Sequence, residues 1–315
     1  MLRQSPIPET KRTNTGLSVA QRLRKVSYRG RRVQWVGYLF VFPLVVLLLV
    51  TTVLPILSSV AISFTKWGIV GAPEWVGLAN FSRMLQDRDI PLVYGNTFQY
   101  AAIVVPATVL TALMMALFVN QRLPGSSFAR TAFFAPTVLS ITVTSIIWIW
   151  ILDTRFGILN IYLGKLGIPQ IPWLTNPRWV LPAIAITSVW ANAGFYMVIL
   201  LAALQDIPRE VLEAAKVDGA NAWQSNWFVT LPLLRPALSL TLTLEIIGAL
   251  RVFGQMYLMT QGGPGGSSLS IIYLIYTKAF TSHQLGYGAA LSLLHFGVIL
   301  IVTLLQFRIF RKTGR

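Results

Sequence analysis

The chain has 315 residues, 55% of them hydrophobic and only 11% charged, where a soluble domain carries about 25% charged residues. That deficit, with a mean hydropathy of +0.64, marks a polytopic membrane protein. There is no cysteine, which excludes a disulfide framework, a zinc ribbon or thiol chemistry.

Two isolated histidines, His283 and His295, lack the clustering that a metal site needs, so no metal ligand set is expected. The first 34 residues form a basic tail, suited to an anionic membrane surface. The first apolar run begins near residue 35 and is too long for the apolar part of a signal peptide, so it is expected to be an uncleaved first span. A bilayer core of about 30 Å takes about 20 apolar residues of helix. Six runs qualify: 36–64, 98–119, 131–152, 179–204, 237–259 and 287–307. Pro43, Pro55, Pro106, Pro136 and Pro182 fall inside them and mark kinks. The expected fold is therefore all-α with six transmembrane helices. It divides into the tail 1–34, a first helix and outer loop 35–96, a five-helix core 97–310 containing a polar segment 205–236, and a short basic tail 311–315.

The formal charge of +16 is explained by its distribution. Eighteen Lys and Arg lie in the N-terminal tail, the 120–130 connection, the 205–236 segment and the C-terminus, against seven in the other connections. The excess of basic residues places both termini and segment 205–236 in the cytoplasm, and nucleic acid needs no place in the account. The outer loops are then 66–97, 153–178 and 260–285, with Trp75, Trp173 and Trp179 as interfacial anchors.

Segment 205–236 reads as a helix-turn-helix outside the bilayer. Asp206 can cap its first helix and Pro208 suits the first turn, with Glu210 and Glu213 near the positive end of the macrodipole. Gly219 can adopt the positive φ that ends a helix. Residues 222–230 can form a second turn or two, which Pro232 stops.

Two features bear on chemistry. The phosphate-binding pattern G-x-x-x-x-G-K-[ST] is absent: Gly164-Lys165 is followed by Leu166, and the glycine-rich run 262–266 has no lysine. No catalytic residue and no cofactor are expected in this chain. The second feature is polarity inside the spans. A charge at mid-membrane costs about 2.5–3.5 kcal/mol on insertion scales, so Glu245 and Arg251 should face a cavity or the bundle interior. As a continuous helix, span five would set Gly248, Arg251 and Gln255 in one stripe, with Glu245 at its edge and Tyr257 further along. Span four offers Trp190, Asn192, Phe195 and Tyr196, an aromatic face beside an amide. Both sets suit a sugar, whose C–H faces stack and whose hydroxyls hydrogen-bond; either could instead be an interhelical clamp or ordinary packing. Ser140, Thr144 and Trp148 in span three read as contacts between helices, and His295 as packing or a single hydrogen bond.

The spacing Glu213-Ala214-Ala215, three residues, Gly219 preceded by Asp218, nine residues, Val229, one residue, Leu231-Pro232 resembles the EAA loop of binding-protein-dependent ABC importer permeases. "WVGLANF" at 75–81, "LAALQDIP" at 201–208, "VF" at 252–253 with "MTQGGP" at 259–264, and "GYGAA" at 286–290 are similar to segments of the carbohydrate-uptake branch, nearest its maltose and glycerol-3-phosphate type. Gln255 stands where acidic residues are frequent in that branch. The resemblance implies the type I importer permease fold in a bacterial or archaeal inner membrane. It implies a second permease subunit, a dimeric ATP-binding subunit that supplies ATP and Mg, an extracytoplasmic solute-binding protein, and a sugar as cargo. Glu213, Ala214, Ala215, Asp218, Gly219, Leu231 and Pro232 would couple ATP hydrolysis to alternating access. Two rivals from other classes are an ion-gradient transporter, for which Glu245 is the sole titratable acid in the spans, and a membrane scaffold. Both leave the EAA spacing unexplained.

Overall fold

The computed structural model describes residues 35, 37–68, 71–121 and 124–313. The expected basic tail 1–34 lies outside the described residues, as do Arg122 and Arg315. The chain divides into two units, Met1–Ser58 and Ser59–Arg315. The described part of the first is a single helix: α1, Gly37–Ser63, starts there, and its most apolar stretch has no residue buried within the chain. A π-helical turn, Leu49–Val53, ends two residues before Pro55, whose missing N–H cannot bond to the carbonyl four residues back.

The second unit is helical apart from one two-residue ladder, β1 (Thr65–Lys66) against β2 (Glu74–Trp75), antiparallel. The remaining helices are α2 (Ala79–Met84), α3 (Asp89–Val119), α4 (Ser126–Val138), α5 (Ile141–Ile151), α6 (Ile158–Lys165) and α7 (Val180–Gln205). There follow α8 (Arg209–Val217), α9 (Ala222–Leu233), α10 (Arg235–Leu250), α11 (Gly254–Thr260), α12 (Ile271–Thr281) and α13 (Leu285–Thr313). Among the described residues, four helices are long and apolar enough to cross a membrane: α1, α3, α7 and α13. Two bent pairs, α4 with α5 and α9 with α10, bring the crossings to six when each pair counts as one.

The axis of the fold is the pairing of α3 with α7. Small buried residues of α3, Ala112 and Ala116, cluster with Met197 and Leu200 of α7 and let the backbones approach, which is how helices pack where lipid supplies no hydrophobic drive. Gly194 of α7 admits α4: a Cβ there would meet the Phe133 carbonyl, and Thr137 Oγ1 donates to the Ala191 carbonyl at 3.0 Å.

Spans three and five, expected as single helices, are both broken. α4 and α5 meet at 101° because Leu139 and Ser140 are extended. Ser140 therefore serves as the N-cap of α5, accepting from the Val143 amide at 3.3 Å, and not as a contact between helices. α10 stops at Leu250, residues 251–253 leave the helix, and Gly254 starts α11. The expected continuous stripe through Gly248, Arg251 and Gln255 does not exist as helix geometry.

The connections between spans are ordered by buried amides. Asn80 Nδ2 donates to the carbonyls of Ser63 (2.8 Å) and Thr65 (2.9 Å), which explains the asparagine in the 75–81 motif. Asn160 holds the 153–178 connection: its amide donates to Ile171 (2.9 Å), and its oxygen accepts from the Trp173 indole (3.0 Å). Trp173, expected as an interfacial anchor, is thus buried at 7% exposure, whereas Trp75 is 70% exposed. The 260–285 connection carries α12, unforeseen in the sequence, whose Ile271 and Leu274 are buried in one cluster with Val93 of α3 and Leu291 of α13.

Candidate functional site

Two places hold the residues singled out above. The first is the segment from α8 to α9. α8 begins after Pro208, which is itself the N-cap; Asp206 closes α7 instead of capping α8. Leu212 and Ala215 face inward, Ala215 buried, while Glu213, Ala214 and Asp218 are exposed. The helix ends in a Schellman turn: the Gly219 amide donates to Lys216 (3.0 Å) and the Ala220 amide to Ala215 (3.0 Å), with Gly219 at φ +81°. A glycine is required because that conformation presses a Cβ against the backbone.

α9 opens with a reciprocal cap, the Asn221 side chain on the Gln224 amide and the Gln224 side chain on the Asn221 amide, each at 2.9 Å. It runs through Leu231 and Pro232, both half-buried, to Leu233. Pro232 does not stop it; the chain turns by 68° after Leu233, into α10. A π-helical stretch, Asn226–Thr230, precedes the proline and relieves the missing N–H.

The sequence reading passed over the most conspicuous surface here. Trp223 (72% exposed) and Trp227 (55%) stack with ring centroids 5.7 Å apart and planes 13° from parallel, beside Phe228 (71%). Two tryptophans four residues apart, on a helix outside the apolar spans, were the available signal.

The second place is a cavity of 360 Å³ where α3, α5, α7 and the break between α10 and α11 meet. It is lined by Tyr100, Asn192, Tyr196, Glu245, Arg251 and Gln255 together with residues 252–254. The structure thus brings together five of the residues considered from sequence: Asn192, Tyr196, Glu245, Arg251 and Gln255. Glu245 is 3% exposed and is flanked by the hydroxyls of Tyr196 and Thr108. Arg251 is exposed to the cavity side, and among the described residues no ion pair joins it to Glu245. Tyr100 donates to Ser188 Oγ at 2.7 Å, which fixes its ring against the wall.

Trp190 lies elsewhere. It packs edge-on to Trp148 at 5.9 Å and lines a separate, apolar groove with Pro182 and Val189. Tyr257 is outside the cavity wall but stacks at 5.3 Å on Phe253, which is part of it.

Breaking a helix inside the bilayer exposes carbonyls that lipid cannot satisfy. Two side chains meet them. His295 Nε2 lies 3.0 Å from the Leu250 carbonyl and must donate, since the carbonyl only accepts. Ser270 Oγ donates to the Val252 carbonyl at 2.7 Å. Ser270 also N-caps α12, so one hydroxyl ties the break to the connection above it. Asn96 of α3 fixes the same connection through the carbonyls of Gly266 (2.8 Å) and Leu269 (3.0 Å). None of these long-range partners has a sequence signature.

Both places lie largely within residues 108–315, which match the family described as binding-protein-dependent transport system inner membrane component. The trehalose/maltose transport system permease protein MalF of Thermococcus litoralis is 33% identical over 293 residues, covering 92% of this chain and 96% of that protein. The sulfoquinovosyl glycerol transport system permease protein SmoG of Agrobacterium fabrum is 33% identical over 275 residues, covering 87% and 89%. In the crystal structure of a bacterial ABC transporter involved in the import of the acidic polysaccharide alginate, one chain superposes with a TM-score of 0.79 at 22% identity, covering 93% of this chain and 100% of that one, a likeness of fold. On the family match and the full-length relatives together, this chain belongs to the inner membrane components of binding-protein-dependent transport systems.

Proposed function

We propose that the chain is one permease subunit of an ATP-driven sugar importer, and that the cavity at the break in span five contacts the sugar. The observation that carries the reading is the convergence there of two amides, a guanidinium, a carboxyl and two phenols from spans separated in sequence, a donor and acceptor set matched to hydroxyls. The relatives' names, which include trehalose/maltose, support the same class of cargo.

In this reading segment 205–236 faces the cytoplasm, as the eighteen-to-seven distribution of Lys and Arg favours. ATP and Mg bind to a separate dimeric ATPase, which grips the exposed surface of α8 and α9 around Glu213, Ala214, Asp218 and Gly219. Trp223, Trp227 and Phe228 extend that surface. A second permease subunit completes the pathway, and an external solute-binding protein delivers the sugar. Closure of the ATPase dimer pushes on α8 and α9, and α10, joined to α9 by the 68° turn, carries the movement to the cavity. ATP supplies direction because the ATPase binds the two states of the permease unequally.

The test is Arg251→Ala in the assembled transporter. Sugar-stimulated ATP hydrolysis should fall while basal hydrolysis and assembly persist. An unchanged dependence on sugar concentration would remove Arg251 from the site.

A further inference from the structure

Beside the apolar groove that holds Trp190 lies a second cavity at the ends of the same helices. The groove, 580 Å³, runs between α3, α4 and α7 and includes Ile103, Ala107, Met115, Phe133, Pro136 and Trp190. The second cavity, 450 Å³, is polar and is lined by Asn120 and Gln121 just past α3, Ser126 and Arg130 on α4, Gln205 at the end of α7, and Arg209 at the start of α8. Met115 and Asn120 are little more than a turn apart, and Arg130 and Phe133 less than one, so along α3 and α4 the lining of the groove is followed closely by that of the polar cavity.

The charge in that cavity is one-sided. Two guanidiniums and three amides line it, no acidic side chain does, and neither Arg130 nor Arg209 forms an ion pair among the described residues. Its position is where apolar helices end, which is the depth of lipid headgroups. An apolar slot opening into a basic, amide-rich cup has the form of an amphiphile with an anionic head. Guanidiniums bind phosphate oxygens through paired N–H donors.

We propose that this site binds an anionic phospholipid, its phosphate between Arg130 and Arg209 and one acyl chain in the groove. The occupant is a lipid and not a free phosphate because the groove gives the ligand an apolar body. It is not a transmembrane helix of a partner, because a helix would leave the two arginines without counter-charge. The bound lipid joins α4, α7 and α8, and so braces the start of α8 against the spans.

The test uses the whole transporter, purified with its partner subunits and examined by native mass spectrometry after exchange into phosphatidylcholine with graded phosphatidylglycerol. The wild-type complex should retain phosphatidylglycerol selectively. Arg130→Gln and Arg209→Gln should each weaken retention about fivefold, from about 1 kcal/mol per basic residue, while the Lys variants keep it. Ala107→Trp, which fills the groove, should also release the lipid. Millimolar inorganic phosphate should not displace it. Equal retention of phosphatidylcholine by the wild type, full retention in the double Gln variant, or full retention in Ala107→Trp would overturn the proposal. Displacement by inorganic phosphate alone would reassign the cup to a soluble anion. A partner helix found in the groove would do the same for the slot.

Discussion

The segment around Gly219 and the cavity around Arg251 are built on opposite ranges of contact. In the segment, the Schellman turn and the Asn221–Gln224 cap are made by residues a few positions apart. In the cavity, Glu245 and Arg251 take their surroundings from α3, α5 and α7, and the break beside them is closed by His295 and Ser270, forty-five and eighteen residues from the carbonyls they meet. The segment's rings and turn are exposed and its shape is self-contained. The cavity must keep polar groups inside a bilayer, so each needs a neighbour from another span. The difference teaches that one half of the machine is portable along the chain and the other is not.

That contrast can be broken at four points. The largest effect is expected at Trp227→Ala. Exposed substitutions leave folding stability within about 0.5 kcal/mol, but loss of an interface aromatic anchor costs about 2 kcal/mol or more, so ATPase association should weaken roughly thirtyfold. Titrating the ATPase subunit onto the reconstituted permease measures it; wild-type affinity would show that the stacked pair lies off the docking face.

Next is His295→Phe, which strands the Leu250 carbonyl and should lower stability by about 1–3 kcal/mol, read as thermal unfolding of the purified complex. The EAA segment should still bind its ATPase, which separates a cavity defect from a coupling defect. Gly219→Val follows. A β-branched residue in the left-handed region costs about 1–2 kcal/mol, so coupled ATP turnover should drop about tenfold, with a fall in the unfolding midpoint no larger than that of His295→Phe.

The smallest effect is a pH dependence outside the spans. Burial pushes the Asp87 carboxyl up, but the Tyr287 hydroxyl, the Asp89 amide, Lys278 and Arg83 together hold it below the ordinary value. Tyr287 donates to it at 2.6 Å, and Lys278 lies 3.1 Å from Asp89. A carboxyl lowered in the folded state adds stability above its unfolded value, near pH 4, and that contribution disappears as the pH falls through the lowered folded value. Tyr287→Phe should therefore flatten the acid limb of the unfolding midpoint against pH by a small amount. An unchanged acid limb would show that the pair carries no linkage.

Legibility followed the same line. The apolar runs at 98–119 and 287–307 fall within α3 and α13, and that at 179–204 matches α7 to within one residue, because hydropathy over about 20 residues is a local property. Gly219 was legible because a positive φ in that turn demands glycine. The 131–152 and 237–259 runs are as apolar as the others; Pro136 marks a kink in the first without giving the 101° break at Leu139, and no proline marks the break at Arg251. Helical periodicity assumes an unbroken helix, so the stripe it drew through Gly248, Arg251 and Gln255 gathers residues that do line one cavity, but by a geometry that the chain does not have. Trp173 misled for a related reason: a tryptophan beside a span suits an interface, and only Asn160 draws it inward.

By itself, then, the amino-acid order settled what each stretch prefers: which runs enter lipid, where a helix outside lipid must end, and the EAA spacing that marks its kin. The tertiary structure alone decided where spans bend and which side chains satisfy the carbonyls the bends release. It also separated Trp190 from Asn192, two residues apart on one helix, into different cavities. The physical reason is that a bilayer offers no hydrogen bonds to a broken backbone, so a break is stable only where distant residues such as His295 and Ser270 arrive to close it.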